Sequence, residues 1–285
     1  MKRILSFLMA GLLVASCSGE ATKTEPQAEK ETKRIVSLSG TITEVLYALD
    51  ADKELVGIDV TSTYPAATEK LTNLGHIRGI TAENVIGVKP THVLAFDDEM
   101  SPEVKKQLEN AKIEVVLFKG DYSVASTKAV ISEIADWLDK KDEANALNKQ
   151  IDKDLASLKK LAKAPKVLFV YARGTGNLMV AGDNTQMTKI IQLAGGQNAT
   201  GGFDDFKPLT AEAVVAANPD VILMFDSGKE SLNDAGGVLA VPGVKTTNAG
   251  KNQAVITMDG QLLSGFGPRL GQAIVQLNTE LSKIK

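Results

Sequence analysis

The sequence predicts an α/β protein of two similar lobes with mainly parallel sheets, joined by a long connecting helix, with a ligand cleft between the lobes. Three observations lead there. A segment of the first half recurs in the second, and each half opens with a short apolar strand followed by glycine and a helical pattern. Between the halves, residues 123–162 contain neither Gly nor Pro.

The chain begins with an address. Lys2 and Arg3 precede the apolar run Ile4–Val14, which meets Ala15-Ser16-Cys17. A basic start, an apolar stretch too short to span a bilayer and small residues before a cut define a secretory signal. Val14-Ala-Ser-Cys17 resembles the bacterial lipobox, whose cleavage leaves an N-terminal cysteine carrying lipid. Residues 1–17 are therefore expected to be a lipoprotein signal peptide ending at lipidated Cys17. Several acyl chains there give stable anchoring where one is marginal. The expected location is the periplasm or cell envelope, lipid-anchored to a membrane. Residues 18–33 hold Glu, Lys, Thr and Gln, with only Ala as an apolar residue. They are expected to form a flexible tether spanning on the order of 20 Å.

The N-terminal lobe is expected over 34–122. Arg34–Leu38 reads as a buried strand, and Ile42, Val45, Leu46 and Leu49 have helical spacing from Thr41 to about Asp50. Thr41 with Glu44 fits a capping box. The internal repeat follows: Ile80–Asp97 aligns with Leu209–Asp226 at a constant offset of 129 without a gap. Thr81/Thr210, Ala82/Ala211, Glu83/Glu212, Val85/Val214, Pro90/Pro219, Leu94/Leu223, Phe96/Phe225 and Asp97/Asp226 are identical. In each copy a Thr N-cap opens a short helix, Pro ends it and an apolar strand follows.

The connector is expected over 123–163, with Ile131, Ile134, Ala135 and Leu138 on one stripe and Leu147, Ile151, Leu155, Leu158 and Ala162 on another. Lys140-Lys-Asp142 offers a break into two helices. The C-terminal lobe takes 164–285. Lys166–Val170 is its first strand, and Thr185–Leu193 a helix ending at Gly195-Gly196.

Composition removes several functions. The net charge is −3, and −5 once residues 1–16 are cut away, which argues against nucleic acid as a partner. One cysteine excludes an intrachain disulfide and a cysteine-based zinc site; two histidines exclude a multi-histidine cluster. Gly174-Thr-Gly176 lacks the dinucleotide fingerprint, and no phosphate-loop signature is present. Asp97 and Asp226 could be read as a catalytic carboxylate pair, but the repeat explains both. The chain reads as a binder, not an enzyme, and lobes that meet across a cleft take small ligands there.

With these features the chain resembles the substrate-binding proteins of ABC importers, in the class whose lobes share a rigid helix, over all of 34–285. Gly75-His-Ile-Arg-Gly-Ile-Thr-Ala-Glu83, Leu178-Met-Val-Ala-Gly182, Phe206-Lys-Pro-Leu-Thr-Ala-Glu212 and Gly265-Phe-Gly-Pro-Arg269 resemble the haem carriers of that class. The resemblance implies a monomer that carries haem, as transported ligand, to ABC permease subunits for iron uptake. It puts His76 at the iron-ligand position, where the family usually has Tyr. A neutral imidazole serves both iron oxidation states, and acid, by protonating it, weakens ligation. Read by itself, a lone His is more often a surface or packed residue; His92, after Pro90, is read that way. Tyr64 is the alternative ligand or else a packed loop aromatic. Arg78, Arg173 and Arg269 are candidate cations for the propionates, and Tyr171 and Met179 candidate walls. The wider class docks through one Glu per lobe, here Glu83 and Glu212, which also suit a helix's first turn electrostatically. A siderophore or cobalamin carrier is the rival, keeping both Glu but making His76 irrelevant. A zinc or manganese carrier would need more His and carboxylates.

Overall fold

Short apolar runs, each closed by a turn, make the strands of both lobes. In the first lobe Ile35–Ser37 (β1), Leu55–Ile58 (β2), His92–Phe96 (β3) and Glu114–Phe118 (β4) form an all-parallel sheet in the order β2-β1-β3-β4. Helices Gly40–Ala48 (α1), Ala82–Gly87 (α2) and Pro102–Asn110 (α3) supply its crossovers. The computed structural model describes residues 33–232 and 237–284; the signal segment, Cys17 and the tether up to Thr32 lie outside the described residues.

Two helices follow, Val124–Leu138 (α4) and Lys141–Leu155 (α5). The second lobe then contains Lys166–Ala172 (β5), Leu178–Ala181 (β6), Gln197–Asn198 (β7), Phe206–Pro208 (β8), Val221–Phe225 (β9) and Val255–Met258 (β10). Its helices are Gln186–Leu193 (α6), Ala211–Ala217 (α7), Asp226–Glu230 (α8), Asn248–Asn252 (α9), Gly260–Ser264 (α10) and Leu270–Leu281 (α11). Strands β7, β5, β9 and β10 are parallel, in the same arrangement as β2, β1, β3 and β4. Seven-residue β5 pairs with β7 at its start and with antiparallel β6 at its end, and β8 extends that ribbon.

The register is repeated as well as the order. Ile35 stands opposite His92, and Val167 opposite Val221, and His92 and Val221 are the positions related by the 129-residue offset. Along β1 and β3, Ile35 and Leu94 go to one core cluster, Val36, Val93 and Ala95 to another. Both faces of the sheet are therefore covered, as parallel sheets require. Thr81, Thr210 and Thr185 cap α2, α7 and α6, each accepting from the backbone N–H three residues on.

Two local expectations change. The capping box at α1 does not form: Ser39 is the N-cap residue, Thr41 donates to the Gly265 carbonyl and Glu44 binds Arg269. Partners from the other lobe outcompete the local cap. The connector divides at Asp139, which takes the left-handed conformation (φ 59°), close to the expected break. Helices α4 and α5 lie antiparallel: Lys128 Nζ meets Asp152 at 2.7 Å, and Asn148 Nδ2 donates to Ser132 Oγ at 3.0 Å. Val130, Ile131 and Ile134 of α4 and Ile151 of α5 join the first-lobe core. Buried Asn278 of α11 accepts from Lys159 N and donates to Lys159 O and Ala194 O, pinning the connector's exit to the second lobe. The connector packs on both lobes and is not one continuous rod.

Candidate functional site

Ligands of parallel sheets bind beyond the carboxyl ends of the strands. Here the ends of β1–β4 and of β10 open into an interlobe cavity of about 400 Å³, within the roughly 300–1,000 Å³ of small-molecule sites. The first lobe contributes Ser39–Thr41 after β1, Asp59 and Thr61 after β2, Phe96, Asp98 and Glu99 at the end of β3, and Gly120–Tyr122 after β4. The second lobe contributes Gln186 and the stretch after β10, including Gln261 and Ser264–Phe266.

A buried polar frame holds the first-lobe side. Asp59, 1% exposed, accepts from Thr61 Oγ1 at 2.6 Å and Ser62 Oγ at 2.8 Å. Ser62 in turn meets Thr43 Oγ1 at 2.7 Å, and Thr61 Oγ1 accepts from Gly40 N at 2.8 Å. A Cβ at Gly40 would come within 2.5 Å of the Thr61 carbonyl oxygen, so only glycine allows this approach. Gln261 bridges the lobes, its Oε1 accepting from Thr63 N at 2.7 Å and its Nε2 donating to Gly40 O at 2.9 Å.

His76 is exposed and lines the cavity. Its loop is held where Val60 N donates to Gly75 O at 2.9 Å, with Gly75 at φ +93°. His76 caps the short 3₁₀ turn Ile77–Gly79, its Nδ1 accepting from Arg78 N at 3.2 Å. In the neutral ring the proton then sits on Nε2. Ligation by a neutral imidazole through either nitrogen breaks this cap, because Nδ1 must either carry the proton or bind the metal.

The first-lobe wall of the cavity that His76 lines is acidic, with Asp59, Asp98, Glu99 and Asp121. Glu99 is exposed by area, yet desolvation raises its carboxyl above the ordinary range, Asp98 and Asp59 raise it further, and Arg78 opposes them. Desolvation also raises the Tyr122 hydroxyl, followed by Glu99 and Asp98. Phenolate is thereby disfavoured, and Tyr122 acts as an aromatic wall, its ring 5.4 Å from that of Phe266. Phe266 sits at φ 47°, a strained conformation for a bulky residue. Reasoning from sequence overlooked Tyr122 and the acidic wall. The signal available was position: each follows a strand's carboxyl end.

Of the seven residues expected to touch ligand, only His76 lines this cavity. Arg269 is already engaged: Nε and Nη2 grip Glu44 at 3.0 and 2.8 Å, with both side chains mostly buried, and its guanidinium stacks 3.4 Å from the Tyr64 ring centroid. It ties the lobes together, where a free cation was expected. Arg78 and Arg173 are exposed and make no ion pair among the described residues. Arg173 occupies the β5–β6 hairpin at the carboxyl edge of the second sheet, 5.4 Å from the Tyr171 ring. Tyr171 packs edge-on to Phe225 and pairs across the ribbon with Met179. His92 contacts Thr91, Glu114 and Trp137 away from the cavity, as a structural residue does. Glu83 and Glu212 are both exposed in the first turns of α2 and α7.

Residues 35–262 match the periplasmic binding proteins. The chain belongs to the periplasmic binding protein family. Among solved structures it is similar to the periplasmic heme-binding protein RhuT from Roseiflexus sp. RS-1, with 35% identity, coverage of 89% of this chain and 99% of the other, and a TM-score of 0.83. It is also similar to the periplasmic heme-binding protein BhuT in complex with two hemes, at 35% identity, 88% and 98% coverage and a TM-score of 0.81. The uncharacterized ABC transporter substrate-binding lipoprotein YvrC of Bacillus subtilis is 27% identical over 95% of this chain and 94% of its own. A vitamin B12-binding protein of Pectobacterium atrosepticum is 24% identical over 89% and 90%. The two-lobed α/β class and the substrate-binding role in an ABC importer, both expected from sequence, are those of this family member.

Proposed function

We propose that this periplasmic binding protein carries haem in its interlobe cleft and delivers it to an ABC permease, with His76 as the iron ligand. One observation carries the reading: an exposed imidazole stands on the cleft wall of a chain 35% identical to a heme-binding protein. Ile77, Phe96, Tyr122 and Phe266 supply apolar and aromatic walls for the macrocycle. The acidic wall repels the propionates, so the anionic edge turns toward Arg78 and Arg173. Iron binding releases the cap on the Ile77–Gly79 turn, which frees Arg78 to move with the ligand. Tyr64, stacked on Arg269, is the second choice of ligand. Tyr171 and Met179 support the Arg173 hairpin. Cys17 carries the lipid anchor, and Glu83 and Glu212 dock the protein on the permease.

A cobalamin cargo is the second reading, favoured by the B12-binding relative and by the acidic wall, which suits an amide-rimmed ligand better than a dianion. Titration of the purified protein with haemin and, separately, cyanocobalamin separates the two. Haemin is expected to give a shifted Soret band that His76→Ala abolishes. An unchanged titration in His76→Ala moves the ligand to Tyr64. Binding of cyanocobalamin with no haemin spectrum replaces the proposal altogether.

A further inference from the structure

Five large apolar or aromatic side chains are exposed among the described residues: Val60, Tyr64, Ile86, Tyr122 and Val215. Tyr122 lines the cleft, and Val60 and Tyr64 adjoin its Asp59–Thr61 rim. The remaining two, Ile86 (40% exposed) and Val215 (50%), are related by the 129-residue offset of the repeat. Neither lines the cavity. We infer that Ile86 and Val215 complete, with Glu83 and Glu212, two equivalent docking knobs for a two-subunit membrane partner, the permease dimer of the importer. The inference rests on the delivery role proposed above and adds the apolar half of the contact.

In α2 and α7 the Glu and the aliphatic residue are three apart, which puts them on one helix face. The residues beside them, Gly87 and Ala216, are exposed, small and again equivalent; Val215 also rests one methyl near Gly243 and is still half exposed. Helix α2 runs into β3, and α7 into β9, so both knobs start at the carboxyl edge of their sheets, the edge where the cleft opens. Glu83 and Glu212 make no ion pair among the described residues. An unpaired carboxylate beside an exposed aliphatic calls for a cationic pocket with an apolar floor. Two such knobs in the same register call for two such pockets, which a partner of two like subunits offers. A second copy of this chain would bring Glu against Glu, and an anionic lipid surface would be repelled.

The test uses the haemin-loaded lipoprotein and its cognate permease–ATPase complex in nanodiscs. Ile86→Ser/Val215→Ser is expected to weaken binding about tenfold or more, shared between the two single variants. Haemin titration and thermal midpoint should stay as in wild type, and Ile86→Leu/Val215→Ile should restore binding. If the Ser pair stays within about twofold of wild type while Glu83→Ala/Glu212→Ala loses binding, the apolar contribution is refuted and delivery stands. If neither pair weakens binding, the delivery reading falls with it. A wild-type dimer in sedimentation that the Ser pair disperses would assign the surface to a second copy and overturn the proposal.

Discussion

The two lobes share a frame and differ at its rim. Strands β3 and β9 pair with β1 and β5 in one register, and each is preceded by a left-handed residue and proline, Lys89-Pro90 (φ 51°) and Asn218-Pro219 (φ 39°). At the strand ends the resemblance stops. The first lobe presents His76 and the carboxylates of Asp59, Asp98 and Glu99, while the second presents uncharged Gln186, Gln261 and Phe266 and adds the β6–β8 ribbon. The difference teaches where a duplicated fold is free to specialise. Buried strands on a doubly covered sheet cannot change register without turning side chains the wrong way, whereas loops beyond the strand ends can change chemistry without touching the core.

The strongest way to break this comparison is to cut the tie between the lobes. Glu44→Ala leaves the Arg269 guanidinium, only 16% exposed, without its carboxylate, and should lower unfolding free energy in urea by about 3–5 kcal/mol. Loss of less than about 1 kcal/mol would mean that the pair behaves as a surface bridge and the lobes are held by other contacts.

A smaller effect separates the two left-handed residues by sign. Lys89 has no side-chain partner among the described residues, so Lys89→Gly relieves its conformation and should stabilise by about 0.5–1 kcal/mol. Asn218 accepts from Asn248 N at 2.9 Å, so Asn218→Gly loses that bond and should destabilise by about 0.5–1.5 kcal/mol. Denaturation of both variants checks it, and equal signs would contradict the argument.

The smallest effect sharpens the contrast in charge at the rim. With the Glu99 carboxyl raised, the folded state holds its proton more tightly than the unfolded chain. Stability from this group is present below the ordinary carboxylate range and lost as pH rises through the shifted range. Glu99→Gln should flatten that decline, read as thermal midpoint against pH from about 4 to 7.

How much of this was legible varied with distance along the chain. Thr81, Thr185 and Thr210 announce their helices because cap and helix are adjacent, and the repeat announces two lobes because identical spacing folds identically. Glu44 misled for the complementary reason. Its local pattern with Thr41 spelled a cap, but Arg269 lies 225 residues away and binds it more strongly. Tyr122 and the acidic wall were legible only as residues that follow strand ends, because their meaning depends on which strand ends share one opening.

By itself, then, the sequence determined the elements, their duplication and the His76 loop, since propensity, capping and periodicity act within a few residues. Only the tertiary structure decided that Arg269 belongs to Glu44, that the connector is a hairpin and that carboxylates share one cavity with the imidazole. Charge pairing and burial are set by distance in space, and segments far apart in the chain come within bonding range only when the lobes close on each other.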